Sequence, residues 1–294
     1  MKDTPTIPAG SALETVATAH GSISLNPTTD AKMAHSFARG IYPNESLILF
    51  ARRVTDSSSV VLDIGAHIGT FAIPMAASGR SVIAFEPAPA THAILRRNIE
   101  QNSAQVDVRT VGLSRAPGKA AVEIRKTGNA GANSLVPGDD IVVSTLDAEV
   151  DATDFIKIDV EGMEMEVLEG GTALIERSHP IVFCEVNLSQ LRAHNTAPVF
   201  LEAFFTERNY RLYYLLENGA NGGVLARVNS LSLLTACIAP RAWLLGGESA
   251  PFDIIAIPVG KTVPYTVVGF GVALKRLVKH NLHIKIERIK KIRV

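Results

Sequence analysis

A chain of 294 residues with 47% hydrophobic and 20% charged content can remove roughly 75% of its unfolded surface from water, enough for one large core or two smaller ones. Two cysteines, Cys184 and Cys237, are too few for a disulfide framework, and Cys184, in an apolar strand-like run, reads as a buried, reduced thiol. No segment reaches the ~18 uncharged apolar residues of a membrane span, and the N-terminus lacks a basic start followed by an apolar run, so a cytoplasmic setting is expected. Net charge is zero but uneven: residues 261–294 carry nine Lys or Arg against the single acid Glu287, a local +8 that leaves −8 on the body.

In chain order, a polar stretch over residues 1–45 reads as an N-terminal extension, residues 46–260 as an α/β domain and 261–294 as a basic tail. Ser46 to Val54 has helical apolar spacing and is followed by a short polar loop. Strands and helices then alternate: strand Val60–Ile64, a helix from near Ile68 to about Ala77, strand Ser81–Phe85, helix Ala90–Asn102, strand Val106–Val111. A less regular block, Ala120 to Thr145, reads as an antiparallel insertion or lid. Alternation resumes with strand Phe155–Val160, helix Met163–Arg177, strand Ile181–Val186, helix Pro198–Arg208, strand Arg211–Leu216 and a last strand Phe252–Ile257. Such alternation predicts a parallel sheet covered on both faces, with an antiparallel hairpin closing one edge. The region from Gly219 to Ala250 has no clear assignment. From Phe270 to Ile292 apolar residues recur at roughly helical intervals among lysines, the pattern of a helix that lies on an anionic membrane surface.

The run VVLDIGAHIGT, Val60 to Thr70, carries the most chemistry. A buried strand ends at Asp63 and turns through Gly65 and Gly69 into a helix, so unpaired N–H groups at the helix start and glycine-permitted close approach favour a nucleotide-type ligand. Dinucleotide sites use G-x-G-x-x-G, whereas His67 occupies the second glycine position here. With Asp63 beside the turn, a ligand bearing an ammonium and a sulfonium fits better than a pyrophosphate, which is S-adenosylmethionine. Glu86 lies twenty-one residues after Gly65, at the end of the next strand, where a carboxylate can accept both ribose hydroxyls. Adenine would then lie near Gly112, Leu113 and Ser114.

In IKIDVEGMEMEVLEGG, Ile156 to Gly171, a strand places Asp159 and Glu161 at its carboxyl edge, where ligands of open α/β sheets bind. These carboxylates could orient the methionine amino group, accept a proton from a hydroxyl, or hold a metal. In VFCEVN, Glu185 and Asn187 are candidate substrate contacts. No Cys/His set has zinc spacing, and no metal site is assigned.

Taken in order, VVLDIGAHIGTF, AFEP, NSLV, STLD, IKIDVEGMEMEVLEGG and VFCEVN resemble the motifs of the FkbM-type methyltransferases, a class I S-adenosylmethionine-dependent family. The resemblance spans about Tyr42 to Asn187. It implies a Rossmann-like, doubly wound seven-strand sheet, mostly parallel with an antiparallel edge strand, and methyl transfer to a hydroxyl on a sugar, glycolipid or polyketide. By position it implies that Asp63, Gly65, Ala66, His67, Gly69, Glu86 and Leu113 hold the cofactor. It likewise implies that Asp159, Glu161 and Glu185 line the reaction centre. The family's acidic step before the first strand is matched only loosely by Glu45 in IYPNES.

In-line displacement at a sulfonium needs alignment and a base for the alcohol proton, and Asp159 or Glu161 is a better candidate than His67. Two other readings compete. A nucleotide-dependent oxidoreductase would share Glu86 but would want the missing glycine, and a membrane-surface adapter would use residues 270–294. The expected partner is a small-molecule or glycan acceptor; nucleic acid is disfavoured because the basic stretch lacks interleaved aromatics beyond Phe270.

Overall fold

The structure is a computed structural model, and it describes residues 12–124, 133–219, 222–239, 251–272 and 274–275. Most of the basic tail, from residue 276 on, and residues 240–250 lie outside the described residues, so the membrane-binding expectation has no structural counterpart here. Contacts divide the chain into two units, residues 1–184 and 185–294.

In the first unit the elements run β1 (Glu14–Thr18), β2 (Gly21–Leu25), α1 (Ala31–Ala38), α2 (Glu45–Val54), β3 (Val60–Ile64), α3 (Ala72–Ala77), β4 (Ser81–Phe85), α4 (Pro89–Gln101) and β5 (Val106–Arg109). They continue through β6 (Gly112–Leu113), β7 (Gly118–Ile124), β8 (Asn133–Pro137), β9 (Ile141–Ser144), α5 (Leu146–Glu149), β10 (Phe155–Ile158), α6 (Glu164–Gly170), α7 (Thr172–Ser178) and β11 (Ile181–Val186), which crosses into the second unit. Strands β11, β10, β3, β4 and β5 lie side by side in that order, each neighbouring pair parallel. The α/β class and the parallel sheet predicted from alternation are therefore present. Because β4 follows β3 on one side and β10 returns on the other, the sheet switches direction between β3 and β10, where open α/β sheets bind ligands at the carboxyl ends of their strands.

The strands are continuous apolar runs because both faces are covered: all of Phe155–Ile158 and all but the first residue of Val60–Ile64 are buried. Phe155 sits between Phe50 and Phe71, at ring separations of 6.3 and 6.2 Å. Strands β6, β7, β8 and β9 form a separate small sheet, ordered β6-β9-β7-β8, in which β7 pairs antiparallel with both β8 and β9. This agrees with the inserted block read from sequence. The helix expected over 163–177 is two helices meeting at Gly171. A Cβ on Gly170 would strike the carbonyl of Ser114 and one on Gly171 would strike Leu146, so this pair serves close packing where helix propensity is weakest.

The polar opening contains a hairpin that the sequence did not suggest. Strands β1 and β2 pair antiparallel, and Ile23 and Leu25 join Phe37, Ile68, Ile73 and Ile94 in one buried cluster. In the second unit follow α8 (Leu188–Ala193), α9 (Pro198–Glu207), β12 (Tyr210–Gly219), β13 (Gly222–Val228), α10 (Leu231–Ile238), β14 (Phe252–Pro258) and β15 (Thr266–Val268). β12 is antiparallel to both β13 and β14, so the expected pairing of the last two runs is present, with β13 arising from the unassigned region. Among the described residues no helix is long and apolar enough to cross a membrane.

Candidate active site

The turn after β3 is built from the inside outwards. Asp63 is 0% exposed and both its oxygens are engaged: Oδ1 accepts from Lys157 Nζ at 2.9 Å and Oδ2 from the Ala72 N–H at 3.1 Å. Lys157 Nζ also donates to the Gly65 carbonyl at 3.0 Å and lies 3.7 Å from Asp159 Oδ2. Asp63, expected at the ligand, thus sits behind the turn as half of a buried ion pair. The expected helix start near Ile68 also moves: α3 begins at Ala72, and residues 65–71 form a turn tied to the protein itself. The N–H groups of Gly65 and Ala66 donate to Phe85 O, that of His67 to Glu86 Oε2 and that of Gly69 to Ala66 O. The physical reason is the backbone of the turn: His67 and Gly69 have left-handed φ values of +51° and +93°, which a right-handed helix does not contain, so helical geometry begins only after them. Gly65 has φ +79°, and a Cβ there would collide with the Asp159 carbonyl, so the β3 and β10 turns touch only because this residue is glycine.

Glu86 follows β4. Its Oε1 accepts from the Ala88 N–H at 3.0 Å and its Oε2 from the His67 N–H at 2.9 Å. Burial pushes its pKa up to about 7, opposed by the charge of His67, those two N–H donors and Lys157. Each oxygen keeps a further lone pair for a ligand hydroxyl. Behind it His92 Nδ1 meets the Glu86 carbonyl at 3.2 Å while Arg96 donates to His92 Nε2, and burial lowers the pKa of that ring. Leu113, with Gly112, is buried on β6.

After β10 the chain leaves strand geometry two residues earlier than expected, and Asp159 and Glu161 stand on a turn. Glu161 has φ +57° and Gly162 φ +103°. A left-handed glutamate is strained, and such strain collects at functional positions. Burial raises the Glu161 pKa to about 8, reinforced by the charges of Asp159 and Glu164 and opposed by Lys32 and His67. Glu164 is 0% exposed; Oε1 accepts from the Gly162 N–H, Oε2 has no partner, and burial lifts its pKa to about 7. Glu185, the third expected catalytic residue, is half-buried on β11 and falls in the second unit.

Asp159, Glu161, Glu86, His67 and the glycine turn are therefore brought to one edge of the parallel sheet. Sequence reasoning missed Lys157, Glu164 and Asp30, the last lying 3.0 Å from His67 Nε2. A lysine inside the apolar strand FIKI was the available signal, since a buried ammonium needs a carboxylate. Among the described residues no group of three or more His, Cys, Asp or Glu is placed to hold a metal ion.

Residues 63–212, just over half of the chain, match the Methyltransferase FkbM domain. The hexuronic acid methyltransferase AglP of Haloferax volcanii is 29% identical over 148 residues, 47% of this chain, which spans only 60% of that relative's length. Among solved structures, the FkbM methyltransferase of Methylobacillus flagellatus aligns with 23% identity and a TM-score of 0.39 over 56% of this chain and 41% of that one. Trm5b of Pyrococcus abyssi aligns with 14% identity and a TM-score of 0.42 over 84% of this chain and 55% of the other. The chain belongs to the FkbM methyltransferase family.

Proposed function

We propose that this chain transfers a methyl group from S-adenosylmethionine to a hydroxyl of a sugar-type acceptor. The observation that carries the reading is the juxtaposition, at the sheet's switch point, of the Gly65 turn with Glu86 on one side and the Asp159–Glu161 turn on the other. The residues fit the cofactor: Glu86 offers free lone pairs to two ribose hydroxyls, Leu113 an apolar wall for adenine, and Asp159 a carboxylate for the ammonium group. Asp63 acts from behind, holding Lys157 and the turn. When bound, the cofactor supplies an electrophilic methyl group on a sulfonium.

With the cofactor bound, Glu161 would take the acceptor proton as the acceptor oxygen bonds to the methyl carbon and the carbon–sulfur bond breaks, its electron pair staying on the sulfur of S-adenosylhomocysteine. A carboxyl group whose pKa is near 8 matches this task better than an ordinary one. The sugar acceptor is supported by the name of the Haloferax volcanii relative. Calorimetry tests the cofactor half: the parent should bind S-adenosylmethionine and Glu86→Ala should weaken it at least about tenfold, or about 1.4 kcal/mol. Binding of NAD instead would sink the reading. For the chemistry, turnover of a uronic acid or hexose acceptor should climb between pH 6 and 9 as Glu161 ionises, and Glu161→Gln should lose turnover while keeping cofactor affinity.

A further inference from the structure

Asp30 immediately precedes α1, the position where an aspartate ordinarily caps the helix, yet its side chain makes no cap hydrogen bond. It is 2% exposed and points instead at the turn after β3, with Oδ1 3.0 Å from His67 Nε2, an ion-pair approach without hydrogen-bond geometry, and with Oδ2 lacking a hydrogen-bond partner. His67 is held in turn by its own backbone, at φ +51°, and its N–H is donated to Glu86 Oε2. An acid from the N-terminal segment, a histidine from the turn and a carboxylate from the end of β4 thus form one chain of contacts. Asp30 lies outside residues 63–212, the part that matches the family.

We propose that Asp30 is a positioning residue that keeps the His67 imidazole charged beside Glu86, and that this charge keeps Glu86 ionised, the form that accepts ribose hydroxyls. The inference rests on the cofactor reading above. The groups facing His67 are Asp30, Glu86 on β4's turn, and Asp159 and Glu161 on β10's turn; Glu86 also feels Lys157. Burial alone pulls the His67 pKa down, but the Asp30 contact and the charges of Asp30, Glu86 and Asp159 outweigh it. Removing the Asp30 charge leaves burial opposed only by the remaining acids. The imidazole then loses its proton at lower pH, and Glu86 loses the strongest of the influences holding it ionised.

The N-terminal segment is fixed firmly enough for this role. Asn98 of α4 is fully buried and donates to both Ser24 O on β2 and Ile68 O in the turn, while accepting the Ser24 N–H. Asn102 adds a matching pair of bonds to Ser22.

The test compares the parent with Asp30→Asn, which keeps the shape and removes the charge. Two measurements are made across pH 6 to 9: the His67 ring titration by NMR without cofactor, and S-adenosylmethionine affinity by calorimetry. Asp30→Asn should move the His67 midpoint down, and should weaken the cofactor about tenfold near pH 7 but less than about threefold at pH 9, where Glu86 ionises unaided. An unmoved His67 midpoint overturns the proposal. So does an affinity loss equal at every pH, which would make Asp30 merely structural, or no loss at all. A parent that binds no S-adenosylmethionine overturns the cofactor reading, and is told apart because the ring titration is read without it.

Discussion

Lys157 shows how a polar side chain can be required in the middle of an apolar strand. Its ammonium is fully paired by Asp63, the Gly65 carbonyl and the nearby Asp159, so its removal strands a buried carboxylate. Lys157→Met should cost about 3–5 kcal/mol, read from the urea midpoint. Adding Asp63→Asn should return part of that loss, since a neutral amide needs no counter-charge. Glu164 is the opposite case, a buried acid with one oxygen unpartnered. Its folded-state pKa of about 7 lies above the ordinary 4.5, so its contribution is fully present below about pH 4.5 and is lost as pH rises through 7. Glu164→Gln, neutral throughout, should therefore gain on the parent by on the order of 1–3 kcal/mol between pH 5 and pH 8 in urea titrations. An advantage that shrinks with pH would contradict the buried-acid account.

Two elements meet across single residues. The turn after β3 touches the turn after β10 at Gly65, where a Cβ meets the Asp159 carbonyl and the backbone is left-handed. Gly65→Ala should push the turns apart and lower S-adenosylmethionine affinity at least about tenfold by calorimetry, with the fold retained by circular dichroism. On the other face of the turn, α4 holds the β1–β2 hairpin through Asn98, whose amide does for β2 what a neighbouring strand would do. Asn98→Ala leaves the Ser24 and Ile68 groups without partners and should cost about 2–4 kcal/mol. Hydrogen exchange of the Ser24 amide should accelerate with it; unchanged protection would show that the hairpin is held by its apolar contacts to Phe37 and Ile94 alone.

Over the whole molecule the charges cancel, yet in the first unit acids concentrate at the carboxyl edge of the parallel sheet. Glu86, Glu161 and Glu164 all have pKa values raised to about 7 or 8 by burial. A cationic ligand favours their ionised forms, so S-adenosylmethionine should release a fraction of a proton on binding near pH 7. Calorimetry in two buffers of different ionisation heat measures this directly. Zero release would place the ligand's charge away from these carboxylates.

What the sequence determined by itself was the order of elements and the parallel sheet, because apolar runs of strand length alternating with amphipathic helices admit few other arrangements. It also placed Gly65, Glu86, Asp159 and Glu161 at strand ends, since turn glycines and acids following apolar runs are local signals. Only the tertiary structure decided which acids stand at the open edge of the sheet and which are sealed behind the turns. Asp63 and Glu86 look alike in sequence, and each accepts one hydrogen bond per oxygen, but Asp63 is sealed from solvent and paired with the Lys157 ammonium, ninety-four residues away, whereas Glu86 is held by backbone N–H groups and keeps some exposure. Asp30 stands just before α1, yet its side chain meets His67 of the turn after β3 and makes no cap bond to that helix. Such pairings join distant parts of the chain, and burial sets their strength, so neither spacing nor composition carries them.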